Sequence, residues 1–152
     1  MVEWLREQVK FSKTQGLVVG ISGGIDSAVV AYLAQRAFPQ NSIGVILPIK
    51  SSVSDIEDGL SVAKECNITS LTIDLVQEHE KIMEKVTKEL KNINNFNEHN
   101  VRIMDANLRA RLRMSTLYSI ANNLNYLVVG TDNAAEIYTG YFTKYGDGAV
   151  DL

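Results

Sequence analysis

The chain has 152 residues, 45% of them hydrophobic and 22% charged, which is enough apolar material to bury one substantial core. A net charge of −3 argues against nucleic acid as a partner, and the single cysteine excludes an internal disulfide framework. No apolar run reaches membrane length and no signal-peptide layout opens the chain, so we expect a cytoplasmic protein without membrane association.

Helical and strand-like segments alternate along the chain. Apolar residues at helical spacing predict helices over 2–14, 26–38, 54–66, 76–90 and 105–123, with Asp105 as a good N-cap for the last. Short runs rich in β-branched residues predict strands over 17–21, 43–47, 70–75 and 126–130. The Asn-rich stretch 92–100 is predicted to be an exposed loop, and no internal repeat or linker divides the chain.

This alternation predicts an α/β domain, a doubly wound parallel sheet with helices on both faces, formed by residues 1–152 as a single unit. Strands 17–19 and 127–129 lack polar alternation, as expected for parallel strands buried on both sides. Ligands of such sheets bind beyond the carboxyl ends of the strands, near the switch point. The loops after strands one and four are therefore the places to expect a site.

The first of these loops has the composition of a phosphate site. It joins a strand to a helix through Gly20-Ile21-Ser22-Gly23-Gly24-Ile25-Asp26-Ser27. Two glycines allow the backbone to turn tightly, and the free amides at the start of the next helix favour an anion. A carboxylate at Asp26 repels phosphate unless a divalent cation such as Mg²⁺ lies between them. The Gly-Lys-Ser ending of kinase-type loops is absent.

The loop after the fourth strand adds a second candidate carboxylate. Glu136 follows Thr131, and the pair suggests a metal ligand and a phosphate-binding hydroxyl. An ordinary helix start, with Thr131 or Asp132 as the N-cap and Glu136 as a first-turn acid, explains the same residues.

Three arginines lie on the helix predicted over 105–123. Arg109 and Arg113 are four residues apart and share a face, whereas Arg111 points about 200° away from Arg109 at 100° per residue. Arg109 has the spacing to pair with Asp105. Because like charges at this spacing repel, Arg109 and Arg113 together suggest an anionic partner.

Three segments together resemble NAD synthetases, a family within the pyrophosphatase-loop superfamily. They are the loop Ser22–Ser27, the stretch 107–114 with its arginines, and the Gly-rich tail 139–152. The resemblance implies an adenine nucleotide α-hydrolase-like fold. It also implies ATP contacts for Gly20, Ile21, Ser22, Gly23, Gly24, Ile25, Asp26, Ser27 and Thr131. It further implies Mg²⁺ at Asp26 and Glu136, and contacts to deamido-NAD from Arg111, Lys144 and Asp151.

The resemblance also implies a reaction and partners. Deamido-NAD would be adenylated by ATP and then amidated by ammonia, giving NAD, AMP and pyrophosphate, in a homodimer and with no protein nucleophile or base. Family members continue beyond the tail motif, so we expect the chain to be C-terminally incomplete relative to them. Two alternatives stay open: another adenylating amidotransferase or thiolase-type enzyme of the superfamily, and a non-catalytic nucleotide-binding fragment.

Three further residues are assigned no chemistry. His79 lies between two glutamates and His99 lies in the Asn-rich loop, so both are predicted to be solvated. Cys66 is predicted to be a small buried hydrophobe near a helix end.

Overall fold

A computed structural model describes all residues, 1–152, as six helices, four strands and one 3₁₀ turn. The strands are β1 (Gly16–Gly20), β2 (Ser42–Ile46), β3 (Thr69–Thr72) and β4 (Tyr126–Val129). The helices are α1 (Val2–Ser12), α2 (Ile25–Ala37), α3 (Val53–Glu65), α4 (Val76–Asn92), α5 (Val101–Leu124) and α6 (Ala134–Thr139), with the 3₁₀ turn at Glu98–Asn100.

The four strands form one parallel sheet in the order β3-β2-β1-β4. The chain moves outward from β1 to β3 and then returns to the other side of β1 for β4. The strand order therefore reverses between β1 and β4, which is the switch point of a doubly wound sheet. The predicted parallel architecture with helices on both faces is confirmed.

Side chains alternate along the central strand between two hydrophobic cores. Leu17 and Val19 pack with residues of α1, α2 and α3. On the other face, Val18 packs with Val128 of β4 and with Ala121 of α5. Successive residues of a strand point to opposite faces, so the unbroken apolar run of β1 supplies both cores at once. The fourth and fifth helices pack against each other on the second face.

Three helices begin earlier than predicted: α2 at Ile25, α3 at Val53 and α5 at Val101. α3 begins after Ser52, whose hydroxyl accepts from the Asp55 amide at 3.1 Å while the Asp55 carboxylate accepts from the Ser52 amide at 3.0 Å. α5 begins at Val101, so Asp105 lies inside the helix and is not its N-cap. In all three cases the helix starts earlier in the chain than the sequence pattern predicts.

The last residues of the chain lie beside β4. The Gly130 amide donates to the Leu152 carbonyl at 2.9 Å, and the Asp151 amide donates to the Val128 carbonyl at 3.0 Å. These bonds satisfy backbone groups of an edge strand that would otherwise be unpaired. No helix of the molecule combines the length and apolarity needed to cross a bilayer.

Candidate nucleotide-binding site

The loop between β1 and α2 is held by hydrogen bonds between its own serines and backbone. The Ser27 hydroxyl donates to the Gly24 carbonyl at 2.9 Å and accepts from the Ser22 amide at 3.1 Å. The Gly24 amide donates to the Ser22 hydroxyl at 3.2 Å. Ser27 is buried, so its hydroxyl fixes the loop from beneath. The loop is therefore shaped before any ligand arrives.

The start of α2 presents unsatisfied amides to an anion. Its N-cap is Gly24, which supplies no side-chain cap, and the first helical hydrogen bond joins the Ala28 amide to the Gly24 carbonyl. The amides of residues 25–27 consequently have no partner within the helix, and the helix dipole adds positive potential there. Gly23 has a φ of 88°, which allows the loop to turn this sharply.

A cavity of about 500 Å³ opens at the carboxyl ends of β1, β2 and β4. Its wall includes Gly20, Ile21, Ser22 and Ser27 from the phosphate loop, and Thr131 from the loop after β4. Residues 47–51, after β2, and one face of α5 complete it. The cavity lies at the switch point, where ligands of doubly wound sheets bind. Gly23, Gly24, Ile25 and Asp26 do not line it, although Asp26 lies exposed on the adjoining first turn of α2.

The fifth helix turns its arginines toward two different cavities. Arg109 and Arg113 line the cavity beside the phosphate loop, together with Ala110, Met114 and Leu117. Arg111 lines a second cavity of about 490 Å³ between α4 and α5. The division follows from the 100° step of a helix, as the spacing of the arginines predicts.

The Asp105 carboxylate contacts three side chains, two of which, Lys50 and Arg109, line the first cavity. It accepts from Lys50 Nζ at 3.0 Å and from Arg109 Nη2 at 2.8 Å, and it lies 3.3 Å from His79 Nε2. Burial alone would raise the pKa of Asp105, but the hydrogen bond from Lys50 and the positive charges around it outweigh burial and lower that pKa. The predicted pair of Arg109 with Asp105 is confirmed.

His79 corrects a prediction made from its neighbours. Its side chain is fully buried, not solvated, because α4 turns it inward against α5 while Glu78 and Glu80 stay exposed. A helix places adjacent residues 100° apart, so charged neighbours do not report the face of the residue between them. His99 is exposed and Cys66 is buried, as predicted.

The structure brings Arg111 and Lys144 together. Arg111 Nε donates to the Lys144 carbonyl at 3.2 Å, and Lys144 Nζ lies 5.1 Å from the centroid of the Tyr145 ring. Both basic groups are exposed. The contact ties the Gly-rich tail segment to α5 through the backbone of Lys144.

Glu136 lies in a region crowded with carboxylates. The Asn133 side chain caps α6, and the Glu136 carboxylate accepts from the Asn133 amide at 3.0 Å through one of its oxygens. The N-cap is thus Asn133, not Thr131 or Asp132. Burial, then the negative charges of Asp147 and Glu136, raise the pKa of Asp132. A cation near these groups would relieve their mutual repulsion.

Asp151 makes contacts within the protein. One carboxylate oxygen accepts from the Tyr118 hydroxyl at 3.0 Å and the other from the Val128 amide at 2.8 Å. Burial and the Asp151 charge raise the pKa of Tyr118 to about 12. Asp151 thus fastens the tail to β4 and α5, and it does not line the first cavity.

Three basic residues of the cavity were not among the predicted ligands: Lys50, Arg109 and Arg113. The helical spacing of Arg109 and Arg113 predicted an anionic partner for the two arginines, without naming the ligand. Lys50 carried no prediction. Lys50 lies in an irregular loop with a φ of 54°, for which periodicity offers no guide.

A doubly wound sheet with a Gly-rich loop, free helix amides and a cavity at its switch point is the arrangement of a nucleotide-binding α/β domain. All residues, 1–152, match the NAD synthase family. The chain belongs to that family. It is similar to an NH₃-dependent NAD⁺ synthetase of Alkaliphilus oremlandii, 66% identical over the whole of this chain and 61% of the relative.

Two solved structures have the same fold. An NMN synthetase from Francisella tularensis has a TM-score of 0.85 at 38% identity, with 99% of this chain and 59% of that chain covered. An NH₃-dependent NAD synthetase from Campylobacter jejuni has a TM-score of 0.83 at 35% identity, with 99% and 61% covered. The chain thus spans 59–61% of the length of these relatives.

Proposed function

We propose that the chain is the nucleotide-binding core of an ammonia-dependent NAD synthetase, acting as one domain over residues 1–152. The reaction is amidation of deamido-NAD by ATP and ammonia, with release of AMP and pyrophosphate. The match of the whole chain to the family carries the proposal. A cavity of about 500 Å³ beside a preformed anion-binding loop supports it, since that volume is typical of a small-molecule site.

The residues of the loop provide electrostatic stabilisation for phosphate chemistry. A carboxylate reacts poorly with ammonia, and transfer of AMP to it makes a mixed anhydride from which ammonia can displace AMP. Negative charge builds up on the phosphate oxygens during that transfer, and preorganised amides stabilise it without reorganising. The free amides at the start of α2 and the Ser22 hydroxyl fill this role, and Thr131 adds a hydroxyl on the facing loop.

Asp26 and Glu136, which lie outside the lining of the first cavity, each have a carboxylate oxygen available to a cation. Asp26 is exposed on the first turn of α2 and has no ion pair, while one oxygen of Glu136 is free of the capping bond. Magnesium takes one or two protein carboxylates together with phosphate oxygens. We propose that Asp26 and Glu136 hold Mg²⁺, which when bound neutralises charge on the phosphates. Asp26 would then be held close to an anion that it otherwise repels.

For deamido-NAD we propose Arg111, Lys144 and Asp151. The bond from Arg111 to the Lys144 carbonyl holds the tail segment against α5, and guanidinium and ammonium groups suit a substrate with a diphosphate and a carboxylate. Asp151 would act with its carboxylate already oriented by Tyr118, since each oxygen keeps a free lone pair.

We also propose a homodimer formed through α4 and α5. Six of the nine residues that line the second cavity are apolar, among them Ile82, Val86 and Ile103, and a second copy of the chain would cover them. The change Ile103→Asp, at a side chain that is 61% exposed, is expected to shift the mass in sedimentation to that of a monomer. A cytoplasmic location stays a prediction, in keeping with the free thiol of Cys66.

The deciding experiment is a product assay on the full chain. We would incubate it with Mg²⁺, ATP, ammonium and deamido-NAD and quantify NAD and AMP by chromatography. We expect NAD and AMP in equal amounts. Both products should be absent when deamido-NAD is omitted and when the Asp26→Asn variant is used. The conservative change Glu7→Gln, at an exposed site on α1, removes the same charge and serves as the control.

Other outcomes would point elsewhere. Amidation of the corresponding mononucleotide in place of deamido-NAD would favour the activity named for the Francisella relative. Formation of AMP in the absence of both deamido-NAD and the mononucleotide would contradict the proposed acceptor. Binding of ATP and deamido-NAD without turnover would identify a substrate-binding core that does not complete the reaction.

A further inference from the structure

We propose that Arg113 is a phosphate-binding residue of the nucleotide cavity, acting alongside the loop between β1 and α2. The proposal rests on the proposed function and adds to it a residue of α5 that lines the same cavity. It concerns the phosphate group as such, whether it belongs to the triphosphate of ATP or to the diphosphate of a dinucleotide.

Arg113 is fixed in place by the protein before any ligand binds. Its Nε donates to the Leu47 carbonyl at 3.0 Å, which ties the side chain on α5 to the backbone just after β2. A guanidinium carries five N–H groups in a rigid plane, so four donors remain after this bond. The side chain is partly buried and lines the cavity. The remaining donors are therefore held at the cavity wall with little rotamer freedom to lose.

The charge of Arg113 lacks the partner that the other basic groups of the cavity have. Lys50 and Arg109 both bond to Asp105, at 3.0 Å and 2.8 Å. Arg113 forms no ion pair, and the one carboxylate that favours its charged form is that of Asp147, which also lines the cavity. Burial lowers the pKa of Arg113, but a guanidinium stays charged throughout the physiological range. A partly desolvated charge of this kind is stabilised by an anion.

The neighbouring groups indicate which anion the cavity takes. Ser22 and Ser27 line the same cavity, and the free amides of α2 adjoin it. These groups bind phosphate through single donors, whereas a guanidinium fork can hold two oxygens of one phosphate at once. A phosphate within reach of both groups would be held by the loop and by the guanidinium of Arg113 together.

Nucleotide binding by Arg113 variants tests the proposal. We would titrate the ¹⁵N-labelled full chain with ATP, deamido-NAD, pyrophosphate and adenosine and follow the NMR shifts. Arg113→Gln is expected to weaken binding of ATP or of deamido-NAD by about tenfold or more, the contribution of a charge-assisted hydrogen bond, and to leave adenosine unchanged. Arg113→Lys keeps the charge without the fork, so a smaller loss is expected. The control is Arg102→Gln, an exposed arginine on the same helix.

The comparison of ligands separates the outcomes. A loss confined to ATP and pyrophosphate assigns the phosphate to ATP, and a loss confined to deamido-NAD assigns it to the dinucleotide. Equal losses for ATP and adenosine, with a lower free energy of unfolding, would show that Arg113 only supports the Leu47 backbone and would overturn the proposal. Unchanged affinity for all phosphorylated ligands would overturn it too. If the wild-type chain binds no nucleotide at all, the proposed function itself fails, a result that no Arg113 variant could produce.

Discussion

Replacement of Gly23 by alanine should be the most damaging single methyl addition in the phosphate loop. The left-handed backbone of Gly23 costs an L-residue about 1–2 kcal/mol. An added methyl carbon would also lie 2.8 Å from Asp58 Cβ and 3.1 Å from the Gly59 amide nitrogen, both on α3. These atoms belong to a helix and its side-chain root, so relief requires a shift of backbone, at about 1–3 kcal/mol for overpacking. We therefore expect a loss of about 2–5 kcal/mol in the free energy of unfolding.

Two other glycines separate the two costs. Gly140 has a φ of 71° with nothing within 4 Å of an added methyl, so Gly140→Ala measures the backbone cost alone, about 1–2 kcal/mol. Gly24 has a φ of −73° and its nearest neighbour would be 3.4 Å away, so Gly24→Ala should stay within about 1 kcal/mol of the wild type. Urea unfolding of the three variants gives the comparison. A Gly23→Ala loss no larger than that of Gly140→Ala would refute the steric argument.

Three further predictions concern stability. Asp105→Asn should cost about 2–3 kcal/mol in urea unfolding, because it leaves two basic side chains without their carboxylate. Because folding lowers the pKa of Asp105, its carboxylate contributes its full stability above the unfolded pKa of about 3.9, and that stability is lost as pH falls through the folded pKa. The free energies of unfolding of wild type and Asp105→Asn should therefore converge in acid. Tyr118→Phe should lower the free energy of unfolding by about 1 kcal/mol and remove the tyrosine that titrates near pH 12 in an absorbance titration. Because folding raises the pKa of Tyr118, this stability is present below about pH 10 and is lost as pH rises toward 12. Leu17→Ala, at a fully buried site, should cost about 2–5 kcal/mol in the same unfolding assay, and a smaller loss would contradict tight packing of β1.

The sheet could be predicted from the sequence because its signal is local. β1 and β4 are unbroken apolar runs, and helices alternate with strands at a rhythm that admits only parallel pairing. The positions of Ser22, Ser27 and Thr131 at one cavity follow from that architecture, since carboxyl ends of parallel strands meet at one edge.

What could not be predicted depends on contacts between distant segments. Asp105 looked like an N-cap because its sequence neighbours suit one, but its partners are 55 residues away at Lys50 and 26 away at His79. His79 is buried because α4 packs on α5, and the charged residues next to it in the sequence do not indicate this burial. Asp151 likewise meets Tyr118 and Val128 only because the tail returns to β4.

Arg111 and Arg113 line different cavities, and this arrangement limits the changes of length that α5 tolerates. Insertion or deletion of one residue before Arg109 would rotate every later side chain by about 100°, moving Arg113 out of the first cavity and Arg111 out of the second together. A substitution changes the lining of one cavity at a time, but a change of length changes the lining of both. The spacing of this helix is therefore constrained more strictly than the identity of most residues on it.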